Sequence, residues 1–291
     1  MLDLCNPYLQ DGQWLRGNTH THTTRSDGHN DPQDVVDFYA SHGYDFLALT
    51  DHNLALEIAS LDSKGMTLIR GEELTCEVSH VIGLGLGGTL PKGDSLQNQV
   101  DLVCADGGIA VVAHPHWMGL VVEKLESLHG HTAIELSNQV CHRINGRGDS
   151  VAWWDALLST GHRCWGVAVD DCHDLQQDAC NGWILVKATG RTWEAIRGAL
   201  VRGSFIATNG PSVSRIETEG RTVRVITSEC EEIRFIGRGP CTLHAVEASM
   251  GGPVTEARYT LGRDQDYVRV EVRDETGRRA WSQPLWTAQE Q

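Results

Sequence analysis

The sequence has no run of about 18 uncharged apolar residues, the length that a membrane-spanning helix needs. The segment from Met1 to Arg16 also lacks a basic stretch followed by an apolar one, so no secretory signal is predicted. We therefore expect a soluble protein of the cytoplasm that makes no contact with a membrane.

The nine cysteines include no CxxC pair, and they are odd in number and widely spaced. These features argue against a disulfide framework and against a structural zinc knuckle. We interpret the cysteines as reduced thiols, several of which serve as small core residues.

Positive charge is scarce, since 24 Lys and Arg residues face 39 Asp and Glu residues and the net charge is −15. Such a surface repels long polyanions, so a protein that binds duplex nucleic acid is disfavoured. A small anion is not excluded, because bound metal ions reverse the local potential of a site. With 291 residues, 40% of them hydrophobic, the chain can bury one large core plus a small appendage.

From residue 17 to about 210, short apolar runs alternate with helix-like stretches, a pattern typical of βα units around a sheet or barrel. The clearest helix begins at Asp31-Pro32, an N-cap followed by a proline that suits the first turn, and ends near Gly43. Further helices are predicted over 95–107, 150–161 and 192–203, and strands over 46–50, 68–72, 109–113 and 165–170.

After Gly210-Pro211 the pattern changes to short strands separated by turn residues, with no helix-length periodicity. The strands include Val223 to Ile226, Glu232 to Ile236 and Tyr267 to Val272. The sequence thus predicts an α/β domain over residues 1–210 and a mainly antiparallel β-rich domain over residues 211–291.

The first chemical motif is His20-Thr21-His22 followed by Asp27-Gly28, where a strand should lead into the first helix. Ligands collect at the carboxyl ends of parallel strands, so the two histidines are placed to share one ion. An HxH pair alone is equally compatible with exposed histidines at a strand end.

Similar residue types recur at four further predicted strand ends, namely His52, Glu73, His114 and the pair Asp171 and His173. The histidines at positions 29, 42, 116, 129, 131, 142, 162 and 244 show no such placement as a set. This recurrence favours a metal cluster, and imidazole with carboxylate, without thiolate, suits zinc, manganese or iron.

In these motifs the chain resembles the polymerase-and-histidinol-phosphatase (PHP) superfamily. The matching segments are HxHxxxxDG (His20 to Gly28), DH (Asp51-His52), G-x-E-[LIV]-[ST] (Gly71 to Thr75), His80, AHP (Ala113 to Pro115) and D-x-H (Asp171 to His173). The phrases RSDGHNDPQDVVDFYASHGYDFLALTDHN, AHPHW, FIATNGPSVS and RRAWSQPLW are similar to the branch that includes the carbaryl hydrolases. The resemblance implies a distorted seven-stranded (βα) barrel with a small C-terminal β-rich domain.

The resemblance also implies a ligand set for two or three divalent ions. One ion would be held by His20, His22, Glu73 and Asp171, a second by Glu73, His80 and His114, and a third by Asp27, His52 and His173. Asp27 stands where some relatives have His, which leaves the identity and occupancy of the third ion open. The G-x-E register favours Glu73 over Glu72, and strand alternation points Glu72 to the other face.

The implied function is metal-dependent hydrolysis by a hydroxide that bridges the ions, with Glu73 and Asp171 as catalytic residues and Asp171 as the proton carrier. A small phosphomonoester or phosphodiester is the first substrate expected. The alternatives are a carbamate or carboxyl ester or an amide, and a non-catalytic metal-binding module. Apart from a small-molecule substrate no partner is indicated, and assembly into a homo-oligomer is left open.

Four further residues are candidates for binding substrate. Arg25, Arg143 and Arg147 could clamp a phosphate, although a surface arginine is more often a solvated charge. Trp117 either lines the substrate pocket or packs in the core.

Overall fold

The computed structural model describes residues 3–239, 244–247 and 252–288, and for residues 244–247 it describes the backbone alone. Of the nine cysteines, Cys241 lies outside these ranges, and the other eight are free thiols. Within the described residues, no helix is both long and apolar enough to cross a membrane.

Seven strands form a barrel. They are β1 (Gln13–Asn18), β2 (Phe46–Leu49), β3 (Thr67–Cys76), β4 (Ser79–Leu84), β5 (Ile109–Val112), β6 (Ala133–Asn138) and β7 (Trp165–Val169). β1, β2 and β3 are parallel neighbours, as are β5, β6 and β7, whereas β4 runs antiparallel to β3 and β5. A parallel bridge between Thr21 and Cys172 joins the ends of β1 and β7 and closes the ring.

The helices cover the outside of this ring. They are α1 (Pro32–Ser41), α2 (Leu96–Ala105), α3 (Val122–Glu126), α4 (Gln139–Asn145), α5 (Val151–Ser159) and α6 (Trp193–Arg202). The Asp31 carboxylate accepts from the backbone N–H of Gln33, so the predicted N-cap of α1 is confirmed. The helices predicted over 95–107, 150–161 and 192–203 are confirmed as α2, α5 and α6. The sequence pattern does not predict α3 and α4, because both helices are too short to show a periodicity.

The barrel is extended by two strands, β8 (Trp183–Ala188) and β9 (Phe205–Thr208). β8 runs antiparallel to β1, and β9 runs antiparallel to β8. Residues of all nine strands so far described contribute to one hydrophobic core, in which Phe46, Val112 and Ile134 are fully buried.

After β9 the described residues form strands and the loops between them, without an α-helix. The strands are β10 (Val213–Glu219), β11 (Thr222–Cys230), β12 (Glu232–Ile236), β13 (His244–Glu247), β14 (Val254–Thr260), β15 (Tyr267–Arg273), β16 (Arg279–Ser282) and β17 (Leu285–Trp286). β10, β11 and β14 make a small sheet, whereas β13, β12, β15 and β16 continue the barrel sheet through the pairing of β16 with β9. The three predicted strands are confirmed as parts of β11, β12 and β15.

The β-rich unit is tied to the barrel by buried polar contacts. Arg269 of β15 donates from Nε and Nη2 to both oxygens of Asp155 in α5, each at 2.7 Å. Its Nη1 donates to Glu271, which also accepts from the indole of Trp281. The fold is therefore α/β, a distorted seven-stranded barrel joined to a β-rich unit. The division at residue 210 stays a prediction, and Leu4 and Tyr8 pack in the core of the β-rich unit.

Candidate metal centre

Nearly all of the nine candidate ligands follow barrel strands at one end of the ring. His20 and His22 follow β1, His52 follows β2, His114 follows β5, and Asp171 and His173 follow β7. Glu73 is an exception to the prediction that it comes after the end of a strand. β3 continues to Cys76 because it forms a hairpin with β4, in which Glu73 is opposite Ile82 and Thr75 is opposite His80. His80 thereby enters the site from β4.

A first group consists of His20, His22, Glu73 and Asp171, whose nitrogen and oxygen atoms lie within 4.8 Å of one another. The Nε2 atoms of His20 and His22 are 3.0 Å apart, and each lies 3.0 Å from Asp171 Oδ1. Glu73 Oε2 is 3.3 Å from His20 Nε2 and 3.2 Å from His22 Nε2. All four side chains are buried.

A second group consists of Glu73, His80 and His114. Here the other oxygen of Glu73, Oε1, lies 2.7 Å from His80 Nδ1 and 3.2 Å from His114 Nε2. Glu73 is therefore shared between the first and second groups, with one oxygen toward each. Glu72 is buried elsewhere and accepts from the backbone N–H of Leu90, so it faces away from the cluster.

A third group consists of Asp27, His52 and His173, and His22 also approaches it. Asp27 Oδ2 lies 3.4 Å from the Nε2 atoms of both His52 and His173. The loop that carries Asp27 is close to His22, since a Cβ at Gly28 would lie 2.6 Å from the His22 backbone. Only glycine allows this approach, which explains the Asp-Gly step of the first motif.

The electrostatics of the first group favour a positive charge. Burial by itself would lower the pKa of His20, but the carboxylates of Asp171, Glu135 and Glu73 raise it well above its ordinary value. Burial likewise opposes protonation of His22, and Asp171 and Glu73 raise its pKa to about 9. Burial would raise the pKa of Asp171, but His20 and His22 hold it well below its usual range.

The arrangement of lone pairs fits a metal ion. The Nδ1–H of His20 donates to Glu135 Oε1 at 2.7 Å, so when the ring is neutral its Nε2 presents a lone pair toward His22. Asp171 Oδ1 is buried, and neither neighbouring histidine meets it with hydrogen-bond geometry. A buried acceptor without a donor is costly unless a cation binds there. The nitrogen and carboxylate donor set suits zinc, manganese or iron.

Glu135 in β6 orients two of the candidate ligands, and no sequence motif indicated this role. One oxygen accepts from His20, and the other accepts from the backbone N–H of His114 and from the amide of Asn138, both at 2.9 Å. Asn138 also donates to Asp171 Oδ2 at 3.1 Å. A histidine ligand held by a carboxylate on its other nitrogen is a common feature of metal sites. The only sequence signal was an acidic residue within an apolar strand.

The histidines of the third group are oriented in the same way. The Nδ1–H of His173 donates to the carbonyl of Asp171 at 2.7 Å, which leaves Nε2 free to face Asp27. His52 Nδ1 lies 2.6 Å from the hydroxyl of Thr75. Asp51 accepts from the backbone N–H and hydroxyl of Thr23 and fixes the start of the Asp27 loop. Its motif did not predict this role.

Two candidate ligands have a backbone conformation that favours glycine. The φ angles are +28° at His114 and +54° at Asp171. Non-glycine residues adopt this left-handed region at a cost, and such residues are concentrated at functional sites. The conformation turns the chain at the ends of β5 and β7, where these two side chains enter the cluster.

A cleft of about 370 Å³ lies over the metal-ligand candidates. Its floor includes Glu73, His114 and Asp171, and its other walls are formed by His29, Trp117, Val140, Cys141, Arg143 and Ile144. Four of these wall residues belong to α4 (Gln139–Asn145). α4, one of the two helices that were not predicted, therefore forms much of the wall above the cluster.

The four predicted substrate-binding residues are placed differently. Trp117 and Arg143 line the cleft, and the Trp117 indole packs edge-on against the His114 ring at 5.1 Å. Arg25 and Arg147 are exposed and do not line it. Arg25 instead approaches Asp31, with Nη2 3.6 Å from Oδ2.

Comparisons with known proteins find a solved structure that is similar to this chain over nearly its whole length. No family model matches the chain. In sequence, the chain is 26% identical over 117 residues to an uncharacterised protein of Methanocaldococcus jannaschii, and the match covers 35% of this chain and 68% of that protein. In structure, it is similar to a two-domain protein from Bacteroides vulgatus that contains a predicted PHP-like metal-dependent phosphoesterase. That likeness has a TM-score of 0.55 at 16% identity and covers 94% of each chain.

An amidohydrolase from Chromobacterium violaceum is also similar, with a TM-score of 0.43, 16% identity and coverage of 56% of this chain and 89% of that chain. At so low a TM-score the likeness supports no functional argument. The likeness to the Bacteroides vulgatus protein supports the fold described above, a distorted seven-stranded barrel joined to a β-rich unit.

Proposed function

We propose that this chain is a metal-dependent hydrolase of the PHP superfamily that acts on a small phosphomonoester or phosphodiester. The observation that carries the proposal is the shared carboxylate of Glu73, which turns one oxygen to His20 and His22 and the other to His80 and His114. A carboxylate between two groups of histidines is suited to bridging two metal ions.

The three groups of ligands described above would hold the ions, with Glu73 shared by the first two. Bound there, divalent ions would lower the pKa of a water molecule and screen the negative charge of substrate oxygens. The chain itself fixes the orientation of these ligands through hydrogen bonds to the other ring nitrogen. Glu135 accepts from Nδ1 of His20, and the carbonyl of Asp171 accepts from Nδ1 of His173.

Asp171 is proposed as the proton carrier. Its side chain lines the cleft, Oδ2 is held by Asn138, and Oδ1 has no hydrogen-bond partner among the described residues. Oδ1 has two lone pairs, so it would face an ion with one and accept a proton with the other, and the carboxylate would then return that proton to the leaving group.

Arg143 supports a phosphorylated substrate. Its Nε donates to Asp178 Oδ1 at 2.7 Å, and neither Nη atom has a hydrogen-bond partner in the described part of the chain. The guanidinium is thus held at the wall of the cleft with donors left for an anion. Arginine binds phosphate oxygens through paired donors of this kind.

The apolar walls of the same cleft favour a second candidate, hydrolysis of a carbamate or carboxyl ester. Trp117, Val140 and Ile144 line the cleft near the cluster. An apolar pocket with few convergent polar groups suits an uncharged organic substrate.

Hydrolysis screening of the metal-loaded protein separates these candidates. The substrates are p-nitrophenyl phosphate, bis-p-nitrophenyl phosphate, nucleotides, p-nitrophenyl acetate and an aryl carbamate, and Glu73→Gln protein prepared in parallel is the control for contaminating activity. We expect the phosphate esters to be turned over fastest. Turnover confined to the acetate or carbamate would replace the phosphoesterase by the second candidate, and no turnover with any metal would contradict the proposed hydrolase.

A further inference from the structure

Asp178 is a fully buried residue that joins two parts of the candidate site without lining the cleft. Its Oδ1 accepts the Nε–H of Arg143 at 2.7 Å. Its Oδ2 accepts the backbone N–H groups of His173 at 3.1 Å and Asp174 at 2.9 Å. One carboxylate therefore contacts both the cleft wall and the loop that carries a candidate metal ligand.

The contact with Arg143 fixes the direction of the guanidinium. A long arginine side chain at a surface loses rotamer freedom when it binds a ligand, and this loss weakens binding. A charge-assisted hydrogen bond from Nε holds the plane in advance and leaves both Nη groups for another anion. The helix that carries Arg143 is itself fixed, because its N-cap Asn138 accepts from the backbone N–H of Cys141 and donates to Asp171.

The contact with the loop fixes His173. The backbone N–H of His173 is held by Asp178, and its Nδ1–H is held by the Asp171 carbonyl. The two hydrogen bonds together orient Nε2 toward Asp27. A residue that orients a metal ligand in this way changes metal affinity without binding the ion.

We propose that Asp178 is a positioning residue that prepares Arg143 to bind the phosphoryl oxygens of the substrate and at the same time holds His173 for the third ion. The inference rests on the proposed phosphoesterase function. The substitution Asp178→Asn tests it sharply, because an amide keeps only one acceptor oxygen. The amide cannot accept hydrogen bonds from both Arg143 and the backbone N–H of His173, because its nitrogen is a donor and would face one of these two donors.

The test is a double-mutant cycle on the manganese-loaded protein, with inorganic phosphate as the probe and isothermal titration calorimetry as the measurement. Arg143→Gln is expected to weaken phosphate binding about 10-fold, the scale of one hydrogen bond between charged groups. Asp178→Asn should produce a similar loss. With manganese in excess, so that the third ion stays bound in every variant, the double variant should bind phosphate no more weakly than Arg143→Gln alone, because Asp178 then acts on the anion only through Arg143.

Metal content per chain, measured by elemental analysis after dialysis, is the second readout. Asp178→Asn should retain less of the third ion, whereas Arg143→Gln should retain as much as the unmutated protein. Arg197→Gln, which removes a helical arginine bonded to a surface carbonyl outside the cleft, is the matched control and should change neither quantity.

If Asp178→Asn weakened phosphate binding through a general loss of structure, its fold-loss in affinity would multiply with that of Arg143→Gln in the double variant. Multiplied losses would therefore overturn the inference. Unchanged phosphate affinity and metal content in Asp178→Asn would overturn it as well. If the unmutated protein bound no phosphate, the phosphoesterase assignment and the role of Arg143 would both be rejected. The metal content of Asp178→Asn would still decide whether Asp178 positions His173.

Discussion

Two regions of the molecule bury charged side chains in different ways. At Arg269 each buried charge is paired with a group of opposite sign, whereas around Glu73 several carboxylates and imidazoles lie close together with hydrogen-bond acceptors facing one another. Arg269 donates from three nitrogens to Asp155 and Glu271. In the first ligand group, by contrast, no described residue forms a hydrogen bond with Asp171 Oδ1, and the Nε2 atoms of His20 and His22 are 3.0 Å apart.

The difference indicates what each set of buried charges does. A buried ion pair whose donors and acceptors match holds two parts of a fold together. A buried set of lone pairs without donors has a net demand for positive charge, which a proton or a metal ion can meet. We therefore expect substitutions around Arg269 to affect stability and substitutions around Glu73 to affect metal binding and turnover.

The largest effect is expected for Glu73→Gln, which removes the carboxylate shared by two ligand groups. Loss of a residue that merely orients a ligand costs up to about 100-fold in metal affinity or activity, so loss of a shared ligand should cost more. The measurements are metal content by elemental analysis and kcat at saturating metal. Glu72→Gln is the matched control, since Glu72 faces away and its amide can still accept from Leu90. Equal losses in both variants would contradict the assigned register.

Asp171→Asn and His114→Ala should fail in different ways. Asn keeps a coordinating oxygen and tolerates the positive φ at this position, but it removes a charge and the proposed proton carrier. We expect Asp171→Asn to retain appreciable metal and lose turnover by about 100-fold or more, the scale of general acid–base catalysis. His114→Ala removes one neutral ligand and should lose metal, with part of its activity recovered at high metal concentration. Normal turnover of fully loaded Asp171→Asn would exclude Asp171 as the proton carrier.

Arg269→Met tests the other side of the comparison. The substitution leaves Glu271 buried without its cationic partner, while Asp155, which is about one third exposed, stays partly solvated. The free energy of unfolding in urea should fall by about 2 kcal/mol. Metal content and kcat of the folded protein should not change. Arg258→Met removes an exposed arginine paired with Glu256 and should cost less than about 1 kcal/mol.

The smallest effect concerns the pH dependence of the metal-free protein. The pKa of His22 is raised from 6.5 to about 9 in the folded state, because Asp171 and Glu73 outweigh the effect of burial. Protonated His22 therefore contributes stability that is fully present below pH 6.5 and is lost as the pH rises through about 9. The Tm of the metal-free protein should fall across this window, and that of the metal-loaded protein should fall less, because ions replace the protons. If the Tm of the metal-free protein stayed level or rose across this pH range, the claim that a proton on His22 stabilises the metal-free site would be contradicted.

Much of the fold was predictable because its elements are locally encoded. The helices α1, α2, α5 and α6 each combine a capping residue or turn signal with a helical apolar pattern, and the buried strands β2, β5 and β7 are short apolar runs. The convergence of histidines and carboxylates followed from their recurrence near strand ends. The choice of Glu73 over Glu72 followed from the G-x-E register of the family resemblance, and strand alternation points Glu72 to the other face. In the structure Glu73 faces the histidines and Glu72 faces away from them.

The parts that were not predicted depend on contacts between distant segments. Glu135 and Asp178 are single acidic residues with no local pattern, and their importance comes from partners 115 and 35 residues away along the chain, His20 and Arg143. The hairpin of β3 and β4 could not be distinguished from a strand that ends at residue 72, because pairing rather than composition sets its length. The short α4, which places Arg143 in the cleft wall, has too few turns for a periodic signal.

The central claim is that Glu73 is shared by two metal ions. The most direct measurement is anomalous X-ray scattering from crystals of the protein loaded with zinc, manganese or iron. We predict two or three ions at the carboxyl ends of the barrel strands, one on each side of the Glu73 carboxylate and about 2.0 to 2.3 Å from their ligand atoms. A single ion bound to one oxygen of Glu73, ions held through Glu72, or no ion at this end of the barrel would contradict the account.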